Sequence, residues 1–489
     1  MRFVIKRVLC KVGSEARRWP RYVLLGTALL VPTGPTMAET LQQAMASAYQ
    51  KNPRLDAERA RLRATDEEVP RAKSGFRPQI SGSADAGRQR VTTDPKTSAS
   101  GDTNPWGYSI NMSQSVFSGF RTVHAVGEAE AGVRAGREQL RAVEQQILLE
   151  SVTAYCDVVR DSALVRLRES NVEVLSRELS AVNARRSVRE VTRTDVVQTQ
   201  ARRARSVSQL DAARANLKSS RASFEKVVGR APGALAPPSP PGRIIPRSLD
   251  EALAVGERES PTVVAALYRE QGARHNVDRI RGELLPEVRI EARFDHRMEP
   301  SRGIDEQDSA SVTGRINIPL YEGGETHARV RQSKHTHVSR LQEIEQARLE
   351  VQAGVTQAWS KYGASRAQLK SDQAQVEAAR IALEGVREEE KVGQRTQLDL
   401  LNAEQELLDA EIQLVVTRRD LVVAAYALLG QMGRLTAENL GLIDLAYDAK
   451  AHYEEVRAKW FGLDIARADG RVERIDVTVQ SDPEWLIDE

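Results

Sequence analysis

A chain of 489 residues ordinarily divides into several globular domains, but only 4 % of this one is aromatic while 28 % is charged, which excludes large aromatic-rich cores. Its wealth of Ala, Arg, Glu, Gln, Leu and Val favours long helices that bury a narrow apolar stripe and leave the rest wet. The net charge of +3 conceals a division: residues 1–38 hold seven basic residues against Glu15 alone, so the remainder sits near −3, and that balance suggests no nucleic-acid partner.

Residues 1–38 read as a cleaved signal peptide. A basic start is followed by the apolar run Tyr22 to Val31 and the small residues of Thr36-Met37-Ala38, and a run of that length falls short of the ~20 residues of a membrane-spanning helix. Cys10 leaves with the signal, so Cys156 is left without a partner for an intramolecular disulfide and is expected to pack as a small apolar side chain.

The rest of the chain repeats itself. Leu41, Ala44, Pro53 and Pro78 recur 208 residues later as Leu249, Ala252, Pro261 and Pro286, and Val188, Thr192 and Asp195 recur 204 residues later as Val392, Thr396 and Asp399. Such spacing predicts two equivalent units, 39–230 and 249–442, joined by a proline-rich linker over 231–248. Each unit opens with about 36 residues of helix-forming composition ending before a proline.

Past that proline the period changes from helical to two. Strands are predicted over about 79–90 and 106–117 in the first unit, and over about 287–297 and 311–320 in the second, with exposed loops between the members of each pair. Tyr108, Ile110, Met112 and Val116 alternate with polar residues, as do Val288, Ile290 and Phe294, and then Ile316 and Ile318. About ten residues is the length a tilted strand needs to cross a bilayer, with lipid on the apolar side and a lumen on the other. Four strands cannot close a barrel, and unpaired backbone in hydrocarbon is costly, so the barrel must be shared among subunits. Arg289, Arg293 and Arg315 then face the lumen, where they read as ordinary barrel polarity, with a selectivity element as the alternative.

A glycine turn, Ser118-Gly119 or Gly323-Gly324, leads into about 70 residues of helical pattern ending at a tip turn, about 188–195 or 391–399. Val158, Val165, Val172 and Leu179 lie seven apart, as do Val355, Tyr362, Leu369, Val376 and Leu383. Sustained seven-residue spacing predicts a left-handed coiled-coil seam. The chain then returns for about 36 residues, so that the returning and opening helices end to end match the long one. The last stretch, 443–489, is an acidic C-terminal tail, predicted to be partly disordered.

No catalytic, cofactor or metal-ligand spacing stands out: His335 and His337 point different ways on a helix, and phosphate-loop, HExxH and GxSxG motifs are absent. The chain reads as a device and not an enzyme.

The signal, the duplicated helix-strand-strand-helix-helix plan, the S-V-F-S-G-F and I-P-L-Y-E-G-G turns, the tip turns and V-V-G-R-A-P-G-A-L together resemble the TolC-type outer-membrane channel family. The resemblance spans about Glu39 to Leu442. It implies a mainly α fold with a small transmembrane β portion: a homotrimer whose 12-stranded β-barrel in the outer membrane of a Gram-negative bacterium continues as a long α-helical coiled-coil barrel through the periplasm. It also implies a periplasmic adaptor and an inner-membrane ABC or proton-driven transporter as partners, with secreted proteins or small toxic compounds as cargo. By position in that family, Arg395 is the arginine of the periplasmic gate, Thr194 and Asp195 its partners, and Asp399 an acid lining the narrowest point. Two departures stand out. Glu390 takes the place of a gate tyrosine, and Asn402 the place of a second ring acid. Asp195 and Asp399 also suit the capping of the helices that start there. The alternative reading is a periplasmic adaptor or a coiled-coil scaffold of an export complex.

Overall fold

The computed structural model describes residues 38–92, 94–95, 100–242, 244–442, 447–466 and 472–473. The predicted signal peptide up to Met37 and most of the stretch beyond Ala466 lie outside them.

Helices dominate, and prolines divide them. The first half opens with α1 (Leu41–Lys51), α2 (Pro53–Asp66) and α3 (Glu68–Lys73). Asn52 caps α2 by accepting from the Arg54 N–H at 3.0 Å, and Pro53 takes the first-turn position where no N–H is required. Strands β1 (Gln79–Ala86) and β4 (Trp106–Ser118) follow, separated by the short hairpin β2 (Gln89–Val91) and β3 (Gly101–Thr103). Then come α4 (Arg121–Ser187) and α5 (Arg193–Val228).

The second half repeats the plan: α6 (Leu249–Glu259), α7 (Pro261–Arg281), β5 (Glu287–Ser301), β6 (Ile304–Asn317), α8 (Glu325–Lys391) and α9 (Gln397–Gln431). Both long helices have 67 residues, about 100 Å at 1.5 Å per residue. The strand boundaries differ from the sequence expectation. β1 stops at Ala86, and β5 and β6 run on almost to a tight turn at Arg302-Gly303, replacing the exposed loop expected between the second pair.

Across the molecule α3, α4, α7 and α8 lie side by side in the same order as the antiparallel sheet β1-β4-β5-β6 above them. Toward the far end α5 packs on α4 and α9 on α8. Opening and returning helices meet at mid-length, where Ser47 Oγ donates to the Val228 carbonyl at 3.1 Å and Asn52 Nδ2 to the Val227 carbonyl at 3.1 Å.

The core sits at this junction. Met45 and Ala48 of α1, Ile147, Leu148 and Tyr155 of α4, Phe224 of α5 and Leu435 are buried together, and Ala252, Val263, Val351, Val355, Leu428 and Met432 make the second-half counterpart. Each large apolar side chain buried there contributes about 1.5–3 kcal/mol. Cys156 is buried in the first cluster, and burial pushes its thiol up to about 12.

From this junction to the tip, Val158, Val165, Val355, Val376 and Leu383 are buried, while Val172, Leu179, Tyr362 and Leu369 are half-buried. A second seven-residue row runs beside them: Ala154, Asp161, Leu175 and Val182 on α4, and Ser365, Asp372 and Ala379 on α8. Two apolar rows are what a coiled-coil partner requires, and polar residues disguise this one. Asp372 takes a hydrogen bond from Thr417 of α9 at 2.6 Å, and Asp161 one from Ser220 of α5.

Of the C-terminal tail, expected to be partly disordered, the described residues 447–466 are folded. Helix α10 (Ala451–Val456) packs on α2. The Arg59 guanidinium lies between the rings of Tyr49 and Tyr447, 4.8 and 5.1 Å from their centres, and His452 pairs with the buried Asp66 at 3.1 Å. Two-residue strands β7 (Ile465–Ala466) and β8 (Val472–Glu473) pair with each other.

Candidate functional site

The sheet is inverted relative to a soluble one. Its register places Ile80 opposite Met112, Met112 opposite Ala292 and Ala292 opposite Val312, while the neighbouring row runs Gly82, Ile110, Phe294 and Ala310. These share one face, and it is bare: Ile80 is 68 % exposed, Ile110 48 % and Val312 78 %. Tyr108, Met112, Val116, Ile290, Phe294 and Ile316 are also exposed, and Val288 is half-buried. Ile318 is exposed as well but lies just past the end of β6.

Strict alternation would put Phe117 on the other face. A bulge at Val116 returns it opposite Val288 on the apolar side. Aromatic rings stand at both ends of the apolar band, Trp106 and Tyr108 with His296 at one end and Phe117 with Phe120 at the other. Beside the first rim, His296 Nδ1 lies 2.6 Å from Asp308 Oδ1 and 3.9 Å from Glu306 Oε1.

The opposite face is polar and internally paired. Ser83 and Ser109 hydroxyls are 2.8 Å apart. Arg289 pairs with Glu287 at 2.7 Å, Arg293 with Asp295 and Arg315 with Glu291 at 3.1 Å. Each lumen arginine of the sequence reading therefore meets a carboxylate, and Glu287 is shared with Arg121 at 2.9 Å.

At the far end both long helices stop in the same way. The N–H of Glu190 donates to the Arg185 carbonyl and that of Arg189 to the Arg186 carbonyl, both at 3.0 Å, and Gln394 and Gly393 repeat the pair on Glu389 and Glu390 at 2.9 Å. This C-cap needs one left-handed residue, which is Arg189 (φ 64°) in one half and Gly393 (φ 77°) in the other. Thr192 and Thr396 then cap α5 and α9, and Asp195 and Asp399 complete the capping boxes from the third helical position. The carboxylates are therefore partners of the cap and not the cap residues themselves. Hydrogen bonds from the Thr396 N–H and hydroxyl, with Arg395 nearby, hold the Asp399 carboxyl below its usual range.

Within one chain Arg395 pairs with Glu389 at 2.9 Å; a pairing with Thr194 and Asp195 is not formed there. Thr194 is exposed. Instead, the two hairpin tips are braced to each other. Arg185 meets Glu390 at 2.7 Å, Gln397 Nε2 donates to Glu178 at 2.5 Å, and Arg202 donates to Asn402 Oδ1 at 2.6 Å and to the Leu401 carbonyl at 3.0 Å. Glu390 and Asn402, the two departures from the family pattern, are thus both occupied in holding one hairpin to the other. One signal for the Arg185 brace was visible in the repeat: Arg185-Arg186 stands where the second unit has Glu389-Glu390, so equivalent turns carry opposite charges. His335 is exposed and His337 pairs with Glu270 of α7 at 2.6 Å.

An outward apolar band with aromatic rims, a paired polar face and ~100 Å of helix define a membrane-anchored channel protomer. The outer membrane efflux protein family model matches residues 44–230 and again 255–434, one match to each half. The outer membrane efflux protein BepC of Brucella suis biovar 1 (strain 1330) is 39 % identical over 474 residues, covering 96 % of this chain and all of that protein. AprF of Pseudomonas aeruginosa PAO1, an alkaline protease secretion protein, is 28 % identical over 315 residues, covering 63 % of this chain and 65 % of its own. The CmeC outer membrane channel of Campylobacter jejuni superposes with a TM-score of 0.74 at 14 % identity, over 86 % of this chain and 89 % of that one. The chain belongs to the outer membrane efflux protein family. It is an outer-membrane exit duct, and that membership removes the adaptor and scaffold readings; the family is one of channels and not of enzymes.

Proposed function

We propose that three copies close a 12-stranded barrel in the outer membrane and a continuous helical tube beneath it, which passes cargo received from an inner-membrane transporter and a periplasmic adaptor. The observation that carries this reading is the exposed apolar face ending in two unpaired edges, β1 and β6. Lipid would cover Tyr108, Ile110, Met112, Val116, Val288, Ile290, Phe294 and Ile316. Pairing β1 of one copy with β6 of the next satisfies backbone groups that hydrocarbon would otherwise leave bare. Secretion of a protein is one form of cargo, as the name of AprF states for that relative, and small toxic compounds are the other.

The gate reading follows from the braces. Arg185–Glu390 and Arg202–Asn402 tie both hairpins of one copy into a unit, so opening takes place between copies. Arg395 is exposed at the tip and is assigned the restraint on Thr194 and Asp195 of the neighbouring copy. Three Asp399 carboxylates around the axis focus a negative field that favours cations, with Asn402 withdrawn from that role.

Sucrose-gradient fractionation combined with heat-modifiable mobility on gels tests the duct. Recovery as a soluble monomer would overturn it. Planar-bilayer conductance of Arg395→Ser tests the gate: the variant is expected to conduct more than the parent, and unchanged conductance would reject the assignment.

A further inference from the structure

Strands and helices share one lateral order, so the protomer has two margins: β1 above α3 on one side, and β6 above α8 on the other. β1, β4, β5 and β6 alternate in direction. A β6 brought against a neighbour's β1 therefore runs antiparallel to it, and its lower end, Asn317, arrives beside the start of β1 at Gln79. Just past Asn317 the chain exposes Leu320 (92 %) and Tyr321 (84 %), two large apolar side chains with nothing over them in one copy.

The other margin carries a matching feature. Below β1, Lys73 Nζ donates to the Arg457 carbonyl at 3.3 Å and Arg77 Nη1 to the Lys459 carbonyl at 2.9 Å. The Arg77 guanidinium also stacks 4.6 Å from the centre of the Trp460 ring. The C-terminal segment is thereby fastened at the foot of the edge strand, and it leaves Trp460 58 %, Phe461 86 % and Leu463 64 % exposed. An anchored backbone presenting three bare apolar side chains is a built surface and not a loose end.

We infer that Trp460, Phe461 and Leu463 of one copy cover Leu320 and Tyr321 of the next, so that the C-terminal segment seals the seam between protomers where barrel meets tube. This rests on the proposed assembly of three copies. A second copy is favoured over lipid because the segment hangs from residues flanking an unpaired strand edge, and closing that edge brings the neighbour's Leu320 and Tyr321 to the same level. Arg77 serves both features, leading into β1 and holding Trp460.

Disulfide trapping tests the seam in outer membranes from cells producing Phe461→Cys with Tyr321→Cys, in a Cys156→Ala background. Oxidation is expected to yield a reducible intermolecular band that neither single variant gives. An intact heat-modifiable trimer without that band would overturn the inference and leave the assembly standing, whereas loss of the trimer from the parent protein would remove the assembly itself and the seam with it. Trp460→Ala supplies a second measurement, because its trimer is expected to dissociate in detergent at a lower temperature than the parent's, and an unchanged temperature would count against the seam. Brominated phospholipid distinguishes the other occupant. Trp106, at the rim of the apolar band, is quenched in parent and variant alike; a further quenched component in reconstituted parent that is lost in Trp460→Phe would place that ring in lipid and reject the contact with a second copy.

Discussion

The two tip turns are a natural internal control, since one uses Arg189 and the other Gly393 at the same left-handed position. A side chain in that region costs about 1 kcal/mol. Gly393→Ala is expected to speed amide exchange at residues 394–396 roughly fivefold, the factor that ~1 kcal/mol of local stability sets. Arg189→Gly relieves that strain, and its tip amides are expected to exchange no faster than the parent's. The thiol of Cys156 lies at the other extreme. With its ionisation pushed up to about 12 by burial, only on the order of one molecule in ten thousand carries a thiolate at pH 8. Maleimide is expected to label the denatured protein fully and the folded protein not at all on the same timescale; rapid labelling of the folded form would show that the core opens locally.

Among the elements, α6 is tied to the turn after α9 by Arg434, which grips Glu259 at 2.8 and 3.1 Å. Hydrogen bonding from Arg434 holds the Glu259 carboxyl down at about 2, against an ordinary 4.5. A carboxyl lowered on folding contributes stability that is fully present above 4.5 and is lost as pH falls toward 2. Arg434→Met is therefore expected to lower the thermal midpoint at pH 7 while flattening its decline between pH 4.5 and 2, which scans across that range would show. Side-chain accessibility limits the size of the effect, since both groups remain about a third exposed. At this scale the sequence spoke clearly wherever one period dominated. Long helices, strand pairs and the duplication were visible because proline, alternation and seven-residue spacing recur at fixed offsets. The second coiled-coil row was not, because Asp161, Ser365 and Asp372 occupy seats that pattern reading reserves for apolar residues, and the hydroxyls that reach the two carboxylates, Ser220 and Thr417, come from other helices. The docking of α10 was invisible for a related reason: Asp66 and His452 are 386 residues apart. At the tip the opposed charges of Arg185-Arg186 and Glu389-Glu390 were in plain view, but only the fold brings Arg185 to Glu390.

For the whole molecule, the consequence lies in the two unpaired margins, β1 and β6, which give each copy nothing to enclose by itself. In the proposed assembly of three copies, ring formation and pore formation are a single event, and this turns a structural feature into a rule of inheritance. A copy damaged at its edge strand, such as one with proline in β1 at Ser83, is expected to be left out of the ring, so a cell carrying parent and variant together keeps its export. A copy damaged at the tip still enters the ring. If equal amounts of parent and tip variant mix at random in threes, only about one ring in eight is wholly parental. Tip variants that jam the duct are expected to be dominant and edge variants recessive, and antibiotic susceptibility of cells expressing both alleles reads the difference.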